Sequence, residues 1–165
     1  MKKIRAHGFT LLELLSTLAI VGILIAIGAP SLTNFVKNER LTTQINTLLV
    51  HLQYARSEAI TRHSPVVVCA SNDGATCSGT WSDGWIVFSD EDSSNSVNGN
   101  DNLLRARDQL EGNNTLTSTG GAIIIFDNRG FSPNSSSTFT VTDDRGASNA
   151  RSITISNTGR IRNGT

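Results

Sequence analysis

Residues 1–30 read MKKIRAHGFTLLELLSTLAIVGILIAIGAP, and the stretch from Phe9 to Ala29 decides the architecture. Lys2, Lys3 and Arg5 make a short basic stub that ends at Gly8. An apolar run follows, broken by one charge, Glu13. As a helix the run is roughly 31 Å long at about 1.5 Å per residue. That matches a hydrocarbon core of about 30 Å. The Lys/Arg excess lies before the run, so the N-terminal side is expected to stay cytoplasmic and the remainder to face outward. A carboxylate inside an apolar helix is costly, and its natural partner is a cation. A secretory signal peptide is the ordinary alternative, with Ala26-Ile27-Gly28 as its small-residue cleavage site. Glu13 within the run argues against it, and so does the helical pattern that resumes beyond the run.

Gly8-Phe9-Thr10-Leu11-Leu12-Glu13 resembles the type III leader junction of type IV pilins and type II secretion pseudopilins. The resemblance implies cleavage between Gly8 and Phe9 by a prepilin peptidase and N-methylation of Phe9. It also implies that Glu13 pairs with the N-terminal amine of a neighbouring subunit during filament assembly. The physics agrees, because cleavage creates a new cation for the intramembrane acid to meet.

Pro30 removes one intrahelical hydrogen bond, so a kink or local unwinding is expected there. Beyond it Leu41, Ile45, Leu48, Leu52, Ala55 and Ala59 recur in steps of four and three. This is the stripe of a helix packed on one face. His63-Ser64-Pro65 ends it. A helix from Phe9 to about Arg62 would be near 80 Å long. Seven short β-type runs follow: 66–69, 85–88, 103–107, 122–126, 138–142, 152–156 and 160–162. Such spacing favours antiparallel sheets. The acidic, Ser/Asn-rich segment 89–102 reads as a mobile loop.

The β region resembles the minor-pilin branch known as the GspH/FimT family. The resemblance is carried by Ala55-Arg56-Ser57-Glu58-Ala59-Ile60, by Cys69 with Cys77, by Trp81, by Asp83-Gly84-Trp85-Ile86-Val87-Phe88 and by Gly159-Arg160-Ile161-Arg162. It implies an α+β chain with the type IV pilin fold, a long N-terminal helix carrying a β-sandwich-like head of two antiparallel sheets. It also implies a low-copy subunit. The expected organisation is a cleaved leader over 1–8, a transmembrane and assembly helix over 9–30, an amphipathic helix over 31–63 and a β head over 64–165. The implied partners are other major and minor pilins, the prepilin peptidase and the bacterial inner membrane. The head would lie in the periplasm before assembly and on the extracellular pilus afterwards.

About 135 residues follow the tail, enough for one core-forming domain. Loss of the leader would leave eleven basic and fourteen acidic residues, a formal charge of −3. Global charge therefore does not mark a nucleic-acid binder. The distribution says more. Residues 83–111 hold seven acids against two arginines, while residues 145–165 hold Arg145, Arg151, Arg160 and Arg162 with no acid. Such polarity points to one basic face. The two cysteines, Cys69 and Cys77, bracket the turn signal Ser71-Asn72-Asp73-Gly74. In an oxidising compartment a disulfide between them is expected, contributing perhaps 2–3 kcal/mol on the loop-entropy model.

No enzymatic chemistry is expected. His7 lies in the leader, His51 reads as a helix surface or interface residue and His63 as a helix-end residue. No Ser-His-Asp set, H-E-x-x-H or phosphate loop is visible, and no cofactor is expected. Asp90-Glu91-Asp92 invites calcium, but the spacing lacks the EF-hand pattern, so no metal is expected either.

The C-terminal segment offers a binding chemistry instead. Ile153 and Ile155 alternate inward, Asn157-Thr158-Gly159 fits a three-residue hairpin loop, and the chain returns as Arg160-Ile161-Arg162. Alternation places both arginines on one strand face, with Cα atoms about 6.6–6.8 Å apart. Guanidinium groups at that spacing reach neighbouring phosphates and grip each in a fork. Arg151 is expected to join them and Arg145 to extend the patch. The competing reading is an edge strand charged to prevent sheet-to-sheet aggregation. The Gly-Arg-x-Arg ending resembles that of FimT-type pilins, which implies non-specific double-stranded DNA binding for natural transformation through Gly159, Arg160 and Arg162. The alternative is a structural minor pilin or type II secretion pseudopilin that primes the filament or sits at its tip and binds no DNA.

Overall fold

The computed structural model describes residues 8–133 and 135–164, so the leader expected over 1–8 lies outside the described residues except for Gly8. One helix, α1 (Leu11–Arg62), is followed by eight strands: β1 (Val66–Ala70), β2 (Trp85–Ser89), β3 (Asn102–Arg107), β4 (Thr115–Ser118), β5 (Ile123–Phe126), β6 (Ser137–Thr142), β7 (Arg151–Ile155) and β8 (Ile161–Asn163). The chain divides into two compact units, Met1–Lys37 and Asn38–Thr165.

In the first unit the apolar residues of α1 are exposed, from Leu11 to Val36. Its most apolar 18-residue window has a mean hydropathy of 2.4, and the helix is long and apolar enough to cross a membrane. Contrary to the expected unwinding, the helix runs through Pro30 without a break in its assignment. Helix entry is marked by Thr10, whose hydroxyl accepts the Glu13 N–H at 3.2 Å, an N-cap bond.

In the second unit α1 buries Leu41, Ile45, Leu48, Leu52, Ala55 and Ala59, the stripe expected from periodicity. Gln44 joins them as a buried polar residue, donating to the Glu111 carbonyl at 2.8 Å and accepting from Asn114 Nδ2 at 2.7 Å. A buried amide must be paired in this way, since an unmet donor or acceptor costs about 1–3 kcal/mol. His63 terminates α1 with a left-handed φ of 54°.

The strands form two four-stranded sheets, ordered β3-β2-β1-β5 and β4-β6-β7-β8. Every pairing is antiparallel. The main core joins α1 to Val66, Val68, Trp85, Val87, Ile124 and Phe126 of the first sheet and to Phe139, Val141, Ile153 and Ile155 of the second. The first sheet is apolar on its other face too: Val67, Cys69, Ile86 and Phe88 form a separate cluster with Cys77, Val97, Ile123 and Ile125. That explains why β1 and β2 are buried at every position and why their sequences show no alternation. The Cys69–Cys77 disulfide lies at this second cluster.

Segment 89–102, expected as a mobile loop, carries internal anchors. Asp90 is fully buried and accepts N–H groups from Ser94 and Asn95, each at 3.0 Å. Val97 anchors the segment on the outer apolar cluster. Two tryptophans tie the layers together. Trp81 donates to the Gly121 carbonyl at 2.9 Å, and Trp85 donates to His51 Nδ1 at 3.0 Å.

Candidate nucleic-acid interface

The second sheet ends in the β7–β8 hairpin. Ile153 and Ile155 are fully buried and fix which face of β7 points inward. The turn closes through Ser156 and Arg160, with the Ser156 N–H donating to the Arg160 carbonyl at 3.0 Å and the Gly159 N–H to the Ser156 carbonyl at 2.8 Å. Asn157, Thr158 and Gly159 lie between, the three-residue loop expected from the sequence. Gly159 has φ 71°, and a Cβ there would collide with the Gly130 carbonyl oxygen. Left-handed backbone and close approach both demand glycine at this position.

Beyond the turn, Ile161 pairs with Ile155 and Arg162 with Thr154. Arg160 and Arg162 therefore emerge on the outward face, where they border one shallow depression with Thr154, Ser156 and Thr158. Both arginines are exposed, and among the described residues neither is held in an ion pair. Guanidinium groups left free of carboxylates are available to an anionic ligand.

The structure does not bring the other two arginines into this group. Arg151 shares the parity of Ile153 and Ile155, so its Cβ projects from the opposite face to that of Thr154 and Arg162. Its Nη1 donates to the carbonyls of Asn149 and Ala150 at 3.3 and 3.2 Å. Arg145 is engaged with Asp143, an ion pair at 2.6 Å whose side chains are only 17% and 3% exposed. Arg145 Nη2 also donates to Asn38 Oδ1 at 2.8 Å. The expectations that Arg151 joins the pair and that Arg145 extends it are corrected. Arg145 fastens the turn after β6 to α1.

Two arginines not expected in the binding set stand at the hairpin instead. Arg56 of α1 donates from Nε to the Gly130 carbonyl at 3.0 Å and from Nη2 to the Thr158 carbonyl at 3.4 Å. It lines a groove with Gln53, Ser57, Ile60, Arg160 and Ile161. Arg129 sits in the neighbouring 127–131 loop, which is joined to the hairpin by the Ser132 N–H bonding the Asn157 carbonyl at 3.0 Å. Its side chain is 74% exposed, pairs with Asp127 at 3.0 Å and lies 5.2 Å from the Phe131 ring centroid. Desolvation opposes ionisation of Asp127, but the Phe131 and Arg129 N–H donors and the Arg129 guanidinium prevail and hold its carboxyl below the usual range. No local signal in the sequence joins position 56 to 130 and 158. That contact exists only once the sheets are packed on the helix.

The other sequence-singled residues lie apart from this edge. Gly8 and Phe9 precede α1, with Phe9 exposed, and Glu13 is in its first turn. His51 is half-buried at the contact between α1 and β2. Burial, then the charges of Arg105 and Arg107, push its pKa below the usual value.

A model of the family described as type II transport protein GspH matches residues 44–159, more than half of the chain. A model of the prokaryotic N-terminal methylation motif matches residues 3–29. Among solved structures, the Pseudomonas aeruginosa type IV minor pilin FimU is similar in two crystal forms, at 24% identity in each. One covers 79% of this chain and 92% of that chain with a TM-score of 0.65. The other covers 75% and 92% with a TM-score of 0.60. No curated protein matches the sequence. The methylation motif implies processing by a prepilin peptidase and assembly with other pilins. The GspH match stops at Gly159, one residue before the exposed arginine pair. On its sequence this chain belongs to the GspH family, with a prepilin methylation motif at its N-terminus and the type IV pilin fold that FimU shares.

Proposed function

We propose that this GspH-family chain is a non-enzymatic minor type IV pilin that binds extracellular double-stranded DNA without sequence preference, for uptake in natural transformation. Arg160 and Arg162 are the principal contacts. The observation that carries the reading is their exposure on the outward face of the β7–β8 hairpin with no carboxylate partner among the described residues. Fork-shaped donors of this kind suit phosphate oxygens, and phosphate contacts position a protein without reading sequence. Thr154, Ser156 and Thr158 add hydroxyl donors around the same depression. Arg151 and Arg145 are not part of this contact set. The head would face the periplasm before assembly and be displayed on the pilus afterwards, where several copies raise avidity.

The test is a gel shift of the detergent-solubilised chain with short DNA duplexes of unrelated sequence. Arg160→Gln/Arg162→Gln is expected to remove most of the retention, equally for every duplex. Arg145→Gln is expected to leave retention unchanged. Equal retention by the wild type and the double variant would sink the DNA reading.

A second reading has its own support. β8 is a three-residue edge strand, and charged side chains on such an edge discourage strand addition. On that reading the chain is a structural minor pilin or type II pseudopilin that touches only protein, and the double variant aggregates where the wild type does not.

A further inference from the structure

We propose that Phe131, with Arg129 beside it, is a stacking site for unpaired DNA bases next to the arginine pair, an inference that rests on the DNA reading above. Phe131 is the residue that the fold leaves unexplained. Its ring is 42% exposed, and it belongs to neither apolar cluster of the head. Burying an aromatic ring is one of the larger gains open to a side chain, so a ring left at the surface has a face to offer a ligand. The Arg129 guanidinium lies 5.2 Å from the ring centroid, and the Arg129 side chain is 74% exposed. An aromatic face flanked by a guanidinium is the platform on which nucleic-acid bases stack. Such stacking tolerates any sequence, because every base has a π-face.

The pair is held in shape before a ligand arrives. Asp127 Oδ1 accepts the N–H groups of Arg129 and Phe131, each at 2.9 Å, and Oδ2 accepts from Arg129 Nη2 at 3.0 Å. The Asp127 N–H donates to the Phe131 carbonyl and the Gly130 N–H to the Asp127 carbonyl, both at 2.8 Å. A loop closed in this way loses little conformational freedom on binding. It is also fastened to the hairpin turn on both sides of Phe131. The Gly130 carbonyl oxygen fills the space that a Cβ on Gly159 would need, and the Ser132 N–H bonds the Asn157 carbonyl at 3.0 Å. Consecutive α-carbons are about 3.8 Å apart, so Phe131 stands beside the turn from which Arg160 emerges. A DNA strand whose phosphates meet Arg160 brings its bases close to this ring. In an intact duplex those bases are paired and stacked on one another, so only a single strand, a gap or an open end can use it.

The experiment measures affinity of the full chain in detergent for two labelled probes, a mixed-sequence single strand that does not self-pair and a blunt duplex. Phe131→Ala is expected to weaken single-strand binding about 5-fold or more, the loss that removing one stacking aromatic brings. Duplex affinity should stay within about twofold, because phosphate contacts carry it. The single-strand salt slope should not change, since a stacked ring releases no counterions. Phe131→Tyr, which keeps the ring, should bind both probes as the wild type does. No single-strand binding by the wild type, wild-type affinity of Phe131→Ala for the single strand, or equal losses on both probes would each overturn the proposal. The last two outcomes also cover a ring that serves a protein neighbour or the fold. The earlier reading has its own control in Arg160→Gln/Arg162→Gln on the duplex. Duplex binding lost in that variant, with Phe131→Ala harmless on the single strand, defeats the stacking site alone.

Discussion

Gly159 shows how much one residue decides at the hairpin. Its backbone is left-handed and its α-carbon faces the Gly130 carbonyl. Gly159→Ala therefore carries strain of about 1–3 kcal/mol and a steric clash besides, and it should lower the unfolding midpoint and DNA retention together. Arg56→Ala, by contrast, releases two carbonyl bonds without blocking the turn. At His51 the argument is protonation. The folded-state pKa is pushed below 6.5, first by burial, so the folded protein holds a neutral ring that accepts from Trp85. The unfolded chain binds that proton more readily, so this contribution is complete above pH 6.5 and is lost as pH falls toward the lowered folded value. Urea midpoints at pH 7.5 and 5.5 should therefore differ more for the wild type than for His51→Gln. A difference of the same size in both would contradict the assignment. The misplacement of Arg151 was legible in the sequence, because it has the parity of the inward Ile153 and Ile155. The fate of Arg145 was legible in part, since Asp143 lies two residues away.

At the scale of elements, α1 was read most fully. A 3.6-residue period on a half-buried helix leaves a regular apolar stripe, and each stripe residue is buried as expected. Gln44 escaped because a buried amide looks like a surface one until its partners at 111 and 114 arrive. Strand β4 escaped because Thr115-Leu116-Thr117-Ser118 offers a single apolar side chain to the core. The anchors of the loop over 90–101, side chain to backbone bonds and Val97, escaped because composition measures neither. The cysteine turn was read correctly, and the disulfide holds it at the outer apolar cluster. Cys69→Ala/Cys77→Ala should cost about 2–3 kcal/mol on the loop-entropy model, read as a lowered denaturant midpoint with the slope little changed.

At the scale of the whole molecule, the chain combines an exposed apolar segment with a head that buries two apolar clusters. The first unit requires lipid or neighbouring helices, which accords with membrane anchoring before assembly. Four acids stand at the β2–β3 connection, while Arg160 and Arg162, in no ion pair among the described residues, stand at the β7–β8 hairpin. On the proposed function, a chain with more acids than bases, once the leader is lost, would bind a polyanion at this one edge. The most direct measurement is fluorescence anisotropy of labelled duplex DNA against the detergent-solubilised chain across a salt series. Two phosphate contacts give a log–log slope near about −2, rising in magnitude toward about −4 when Arg56 and Arg129 also engage phosphate. The account predicts a slope in that range for the wild type, equal for unrelated sequences, and smaller in magnitude by about 2 for Arg160→Gln/Arg162→Gln. A wild-type slope near zero, or one that the double substitution leaves unchanged, would contradict it.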